Sequence, residues 1–252
     1  MDIEPLARML AAAREQGVQA RPGWPNPAPT LADAYAVQER ANALFADDFV
    51  GWKCGATNPA ARAGLDLDDS FIGPIPKRVV RGDGATIAFT ETIAAIEPEI
   101  AFRLRSDLGA GATAETAKDA VDAAHLAIEV IGRCAVGPGF ETGLGLTLDF
   151  AGNAWFVVGD AIEDWQAVDL TEVPVRVERD GAEVASGSTA NVMGDPLASL
   201  AWAANRLAQD GHTLRAGEWV STGTCTPAVP AAKGTSLVAA FGDLGRIGVR
   251  FD

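Results

Sequence analysis

The stretch "AAIEPEIAFRL", residues 94–104, decides how the chain is read. It is an apolar run of strand length, interrupted by two carboxylates, Glu97 and Glu99, two positions apart. Successive side chains of a strand alternate faces, so both acids point the same way, about 7 Å apart, and share one site. Two like charges on a largely apolar surface repel each other and are poorly solvated. Spacing alone leaves two readings: the solvated acidic face of an exposed edge strand, or a cation shared by both carboxylates.

A third acid shifts the balance toward the cation. Glu129 sits inside another apolar run, "HLAIEVIGR", residues 125–133, with no basic residue beside it until Arg133. An acid centred in such a run is rarely buried without a partner. Three carboxylates without a histidine describe a hard-cation site suited to Mg²⁺ or Mn²⁺, with water or substrate oxygens completing the coordination. Only two histidines exist, His125 and His212, and His125 reads as a surface residue at a helix end, which argues against zinc. The second unusual residue is Lys53, in the strand-like "FVGWKCGAT", residues 49–57. It is either half of a structural ion pair or a working lysine, held at a lowered pKa or donating to an oxygen that gains negative charge.

Outward from these segments, the composition is that of a globular enzyme-sized chain: 252 residues, 48% of them hydrophobic. A formal net charge of −14 argues against nucleic acid or an anionic membrane surface as partner, since no Lys/Arg cluster is present to neutralise phosphates. No run approaches the roughly 20 apolar residues of a membrane span, and the N-terminus lacks a basic region followed by an apolar core, so a cytoplasmic location is expected. Cys54, Cys134 and Cys225 have no C-x-x-C spacing and are expected to be reduced and structural.

Periodicity predicts two opening helices, "EPLARMLAAAREQG" and "TLADAYAVQERANALFA", the second following the Pro-rich "RPGWPNPAPT" and capped by Thr30. From Phe49 onward short β-like runs dominate, with an Asp-Gly hairpin signal in "VRVERDGAEVA". Two further helices are predicted, in "TAETAKDAVDAAHLA" and in "DPLASLAWAANRLAQDG", the latter with an Asp-Pro start and a Gly stop. The expected division is a helical region over residues 1–48 and a catalytic domain over residues 49–252.

"GWKCGATNPAARAGLDL", "EPEIAF", "AIEVIGR" and "GDPLASLAWAANRLAQDGHTLRAGEWVSTGT", in this order, resemble the fumarylacetoacetate hydrolase superfamily, in particular its 2-keto-4-pentenoate hydratase and 4-oxalocrotonate decarboxylase branch. The similarity runs over nearly the whole chain from about Leu31. The resemblance implies an α/β (α+β) fold, with N-terminal helices packed on a mixed, rolled β-sheet core. It also implies a divalent cation, usually Mg²⁺, on Glu97, Glu99 and Glu129, and it places Lys53 beside a bound 2-oxo acid. Asp149, in "TLDFAGNAWFVVG", falls on the aspartate of a stretch that hydratases commonly write A-D-N-A-S, and is expected to position water or the substrate tail. Thr224, in "STGT", corresponds to a hydroxyl often directed at a substrate carboxylate.

The implied activity is a Mg²⁺-dependent hydratase that adds water to a 2-hydroxydienoate or 2-oxoalkenoate. The alternatives are a decarboxylase, an acylpyruvate C–C hydrolase, or a catalytically idle structural partner. Homo-oligomers are usual in the superfamily, and hydratases and decarboxylases of this branch can associate. The chain also departs from the pattern. Phe150 and Gly152 stand where Asn and Ser are common, and Ser70-Phe71-Ile72-Gly73 replaces a P-D-F-G segment, with Asp68 and Asp69 just upstream. Arg133 and the more remote Arg62 are the only arginines in the matched segments available to a second substrate carboxylate, so a monocarboxylate with an apolar tail is expected.

Overall fold

A computed structural model describes residues 2–23, 30–45 and 48–252. Helices α1 (Glu4–Gln16) and α2 (Leu31–Phe45) open the chain as predicted. Thr30 Oγ1 accepts the Asp33 N–H at 3.1 Å, the expected cap, whereas most of the Pro-rich segment lies outside the described residues. There follow β1 (Phe49–Gly55), α3 (Pro59–Leu65), β2 (Phe71–Pro76), β3 (Val80–Gly82), β4 (Ala85–Ile87), β5 (Ile93–Leu104), α4 (Ala114–Ala120) and β6 (Val121–Gly132). The second half holds α5 (Gly143–Leu148), β7 (Asn153–Ala161), β8 (Pro174–Arg179), β9 (Ala182–Ser188), α6 (Pro196–Gln209), β10 (Trp219–Thr224), β11 (Val229–Pro230), β12 (Ser236–Phe241) and β13 (Arg246–Phe251).

The strands form two mixed sheets. One has eight strands in the order β2-β1-β10-β5-β6-β7-β3, with β11 also paired to β5; the other runs β4-β13-β12-β8-β9. The long pair β5/β6 occupies the middle of the first sheet, and its inner face packs on the second sheet and α6 through Ile100, Phe102, Val121, Val177, Leu200 and Phe241. A second core, with Leu10, Val37, Phe45, Leu148 and Phe150, packs α1 and α2 over α5 and the turn that follows it. The fold is thus the expected set of N-terminal helices on a mixed, rolled sheet.

Several sequence expectations are corrected. The helix predicted in "TAETAKDAVDAAHLA" ends at Ala120, and the remainder is β6. Its alanines match helical spacing, but hydrogen-bonding neighbours on both sides, β5 and β7, settle the segment as a central strand. His125 is therefore mid-strand rather than at a helix end: its Nδ1 lies 2.9 Å from the Gly159 carbonyl oxygen and its ring meets Trp219 edge-on. Strand β2 was not anticipated, because Pro74 and Pro76 argue against a ladder; as the terminal strand of its sheet it pairs on one side only.

Pro98, between the two acids of β5, also marks a break. It has no N–H to continue a ladder, and the neighbouring pairing is interrupted there: β10 ends with Thr224 opposite Glu99, and β11 resumes with Val229 opposite Ile96. All three cysteines are free and buried, as expected.

Candidate metal centre

The β5/β6 register sets Glu97 directly opposite Glu129, with Glu99 one pleat further along the same face. Like charges in that position destabilise a sheet unless something joins them. One oxygen from each of the three carboxylates lies within 4.8 Å of the others. Glu99 and Glu129 are wholly buried and Glu97 half-buried, which removes the solvated edge-strand alternative.

Glu99 has one oxygen engaged by the protein, and Glu129 has one hydrogen-bonded and the other facing a lysine. Glu99 Oε2 accepts from Ser221 Oγ at 2.5 Å and from the Gly223 N–H at 2.9 Å, leaving Oε1 without a partner. Glu129 Oε1 accepts from Asn153 Nδ2 at 3.2 Å, and Oε2 faces Lys53 Nζ at 3.2 Å. Burial, and then the charge of Glu129, pushes the Glu97 carboxyl up to about 7 against the pull of Lys53. Glu99 is raised well above the carboxylate range by burial and by the charges of Glu129 and Glu97, and Glu129 is raised by burial against Lys53. Burial pulls Lys53 down, but the three acids outweigh it and hold the ammonium above its ordinary pKa. In this environment Lys53 is a donor, not a neutral amine.

Three carboxylates against one buried lysine leave an excess of negative charge, and the uncommitted oxygens are hard donors. That set fits a divalent cation. Beside it lies a cavity of about 70 Å³, lined by the polar Lys53, Glu97, Thr57 and Thr224 and by the apolar Leu65, Phe71, Ile131 and Leu146.

Thr224 Oγ1 donates to the Thr226 carbonyl at 2.7 Å, so its hydroxyl proton is committed. Thr57, which the sequence reading missed, is buried with no partner for Oγ1. Phe71, where the family pattern has an acid, places its ring centroid 5.0 Å from Lys53 Nζ.

Asp149 is not brought into this cavity. Its Oδ2 accepts the N–H groups of Cys134 and Ala135 at 2.7 and 3.0 Å, and it lines a separate cavity of about 330 Å³ together with Arg14, Arg133 and Asn153. Burial raises its carboxyl to about 6, opposed by those two N–H groups and by Arg14. Arg133 Nη1 donates to the Phe140 carbonyl at 2.6 Å, and Arg62 lies in an outer cleft with Asp68 and Asp69. Neither arginine lines the inner cavity. Asn153, Ser221 and Arg14 also escaped the sequence reading; only the run of hydroxyl residues in the buried "STGT" strand signalled any of them.

Residues 53–251 match the fumarylacetoacetate (FAA) hydrolase C-terminal family. The chain is 32% identical to the 2-keto-4-pentenoate hydratase of Burkholderia vietnamiensis (strain G4 / LMG 22486), covering 99% of this chain and 98% of that protein. It is 30% identical to the 4-oxalocrotonate decarboxylase of Pseudomonas putida, over 89% of this chain and 87% of that one. The 4-oxalocrotonate decarboxylase of Pseudomonas putida G7, solved in complex with magnesium and adipate, superposes with a TM-score of 0.89 at 28% identity, over 99% of this chain and 97% of that one. By the family match and by these near full-length relatives, the chain belongs to the fumarylacetoacetate hydrolase family.

Proposed function

We propose that this protein is a Mg²⁺-dependent hydro-lyase, with Mn²⁺ able to substitute, that adds water to a 2-hydroxydienoate or 2-oxoalkenoate and yields a 4-hydroxy-2-oxo acid. The observation that carries this reading is the three-carboxylate centre with Lys53, beside a cavity whose remaining lining is mostly apolar and includes no second cation. Glu97, Glu99 and Glu129 would hold the divalent cation, which supplies Lewis acidity toward the carboxylate and keto oxygens of a 2-oxo acid.

The chain's own groups do the rest. Lys53 presents a buried ammonium to the substrate keto oxygen, which gains negative charge as water adds across the conjugated double bond and loses it again when the adjacent carbon is protonated. Thr57 offers the uncommitted hydroxyl for a substrate carboxylate, and Thr224 would serve it only by turning its proton from the Thr226 carbonyl to the substrate. Leu65, Phe71 and Leu146 exclude bulk water from the hydrocarbon tail and orient it. Asp149 acts as a support for the turn at Cys134 and Ala135 rather than as a substrate contact.

The decarboxylase alternative has its own support in the likeness to 4-oxalocrotonate decarboxylase over nearly the whole chain. Decarboxylation of a dicarboxylate, however, calls for a cation to receive the second carboxylate, and Arg62 and Arg133 both lie outside the inner cavity. An idle structural subunit would have no need to keep Lys53 and all three acids in contact. No described helix is long and apolar enough to cross a membrane, and we place the enzyme in the cytoplasm as a homo-oligomer able to pair with a related decarboxylase. Residues 49–252 form its catalytic part.

Product analysis by NMR tests the assignment. With Mg²⁺, 2-hydroxypenta-2,4-dienoate or an alkyl homologue is converted to the 4-hydroxy-2-oxo acid. Release of CO₂ from 2-oxohex-3-enedioate, with the dienoate left untouched, replaces the hydratase by the decarboxylase.

A further inference from the structure

Helix α1 reaches the metal centre through one side-chain bridge. Arg14 Nη2 donates to Asn153 Oδ1 at 3.3 Å, and Asn153 Nδ2 donates to Glu129 Oε1 at 3.2 Å. A guanidinium only donates and an ionised carboxylate only accepts, so a single orientation of the Asn153 amide satisfies both partners. Asn153 is buried at the first position of β7, and its two hydrogen bonds hold the amide between Arg14 and Glu129.

The guanidinium is itself clamped. Its central carbon lies 4.3 Å from the ring centroid of Phe150 and 4.8 Å from that of Phe45. Phe150 is the residue that stands where the family pattern has an asparagine. Phe150 and Ala151 both adopt left-handed backbone, φ 53° and 54°, an uncommon conformation for residues other than glycine. Through that turn Phe150 joins the core beneath α1 and α2, while Ala151 lines the inner cavity. At this departure from the family pattern the side chain contacts Arg14.

The geometry points to Arg14 and Asn153 as positioning residues of the metal centre, acting in series to orient Glu129 as a ligand. With Oε1 engaged by the amide, Oε2 is the oxygen left toward Lys53 and the space shared with Glu97 and Glu99. Without the amide the carboxylate can rotate, and ordering it opposes cation binding. The N-terminal helices then belong functionally to the catalytic part, through a residue 139 positions from the amide it holds. This inference rests on the reading that the three acids bind a divalent cation.

Titration calorimetry with MgCl₂ on the full chain tests it, using wild type, Asn153→Leu, Arg14→Met, Arg14→Lys and the double variant Arg14→Met/Asn153→Leu. Asn153→Leu is expected to weaken Mg²⁺ binding by about 10-fold or more, the range found when the outer partner of a metal ligand is lost. Arg14→Met is expected to weaken it by a smaller factor, and Arg14→Lys, which keeps a donor, to recover part of that loss. The double variant should lose clearly less than the sum of the two single losses, because the hydrogen-bond route from Arg14 runs through the amide and its direct charge effect on Glu129 is the lesser part. A bulk electrostatic or structural role would instead give additive losses, and that outcome overturns the series arrangement. Wild-type affinity in folded Asn153→Leu and Arg14→Met overturns it as well. Should Asn153→Leu fail to fold, the two Arg14 variants carry the test, since Arg14 is only partly buried on a cavity wall. A wild-type chain that binds neither Mg²⁺ nor Mn²⁺ overturns the metal reading itself and this inference with it.

Discussion

Lys53 Nζ lies 3.2 Å from Glu129 Oε2, with the two side chains 4% and 0% exposed. A buried pair of this kind is strongly destabilised when one partner is removed, because the other charge stays behind without water. Lys53→Met should therefore do two separable things. It should lower kcat by about 10²-fold or more, through loss of a preorganised charge at the reacting oxygen, while KM changes less. It should also lower the melting temperature of the metal-free protein, with Mg²⁺ restoring part of the loss. Kinetics of the Mg²⁺-loaded variant separate the roles: normal turnover once folded would mean that Lys53 is only a structural partner of Glu129.

The acidic cluster gives stability a pH dependence of defined sign. Burial and the charge of Glu129 push the Glu97 carboxyl up to about 7 in the folded chain from an ordinary 4.5, with Glu99 and Glu129 also raised. The folded state thus binds protons more tightly than the unfolded one, and metal-free stability falls as pH rises from about 4.5 through about 7. A bound cation reverses this, because it needs the ionised acids, so Mg²⁺ affinity rises over the same interval as protons are released. Thermal melts from pH 5 to pH 8, in EDTA and in Mg²⁺, should diverge toward the alkaline end. An EDTA series flat across that range counts against the buried cluster.

Gly223 has φ +116°, and a Cβ there would come within 2.1 Å of Thr57 Oγ1. Its N–H holds Glu99 Oε2 at 2.9 Å. Gly223→Ala combines a strained backbone, worth about 1–3 kcal/mol, with a clash against a buried residue. Loss of stability in urea titration should be accompanied by weakened Mg²⁺ binding, as the amide that orients Glu99 moves. A variant that is destabilised but binds Mg²⁺ like wild type would show that Ser221 alone orients Glu99.

How much of this was legible beforehand depended on where the signal lay. The acids of β5 and β6 were visible because a carboxylate in an apolar run is a local anomaly, and α6 because Asp195, Pro196 and Gly211 mark both its ends. β6 misled because its alanines suit a helix until the pairing with β5 and β7 is known, and β2 was hidden by its prolines. Asn153 and Arg14 were beyond reach, since a polar residue at a strand start and an arginine on an amphipathic helix are ordinary until folding brings them together. Asp149 shows what a motif alone leaves open: its place suggested the substrate, and the fold sets its Oδ2 on two backbone N–H groups in a separate cavity while Oδ1 has no partner.

The apolar walls of the inner cavity set the last expectation, which concerns substrate charge. Leu65, Phe71, Ile131 and Leu146 line the space, and no arginine or second lysine lines it with them. Burying a second carboxylate there would leave it unpaired, at several kcal/mol, and each 1.4 kcal/mol is about a factor of ten. The kcat/KM for a C5 monocarboxylate 2-oxoalkenoate should therefore exceed that for the corresponding C6 dicarboxylate by about 10²-fold or more. Leu65 offers the complementary change. It is partly buried at the end of α3, a helix with no buried residue, and packs on one side against Phe71, Leu146 and Ala151, so Leu65→Arg gives up some of that packing while keeping the helix. The new guanidinium would pair with a distal carboxylate and should narrow the ratio by about tenfold, mostly through KM for the dicarboxylate. Equal kcat/KM for both substrates in the wild type would mean that the distal carboxylate reaches the outer cleft and Arg62, and the apolar-tail specificity would fall.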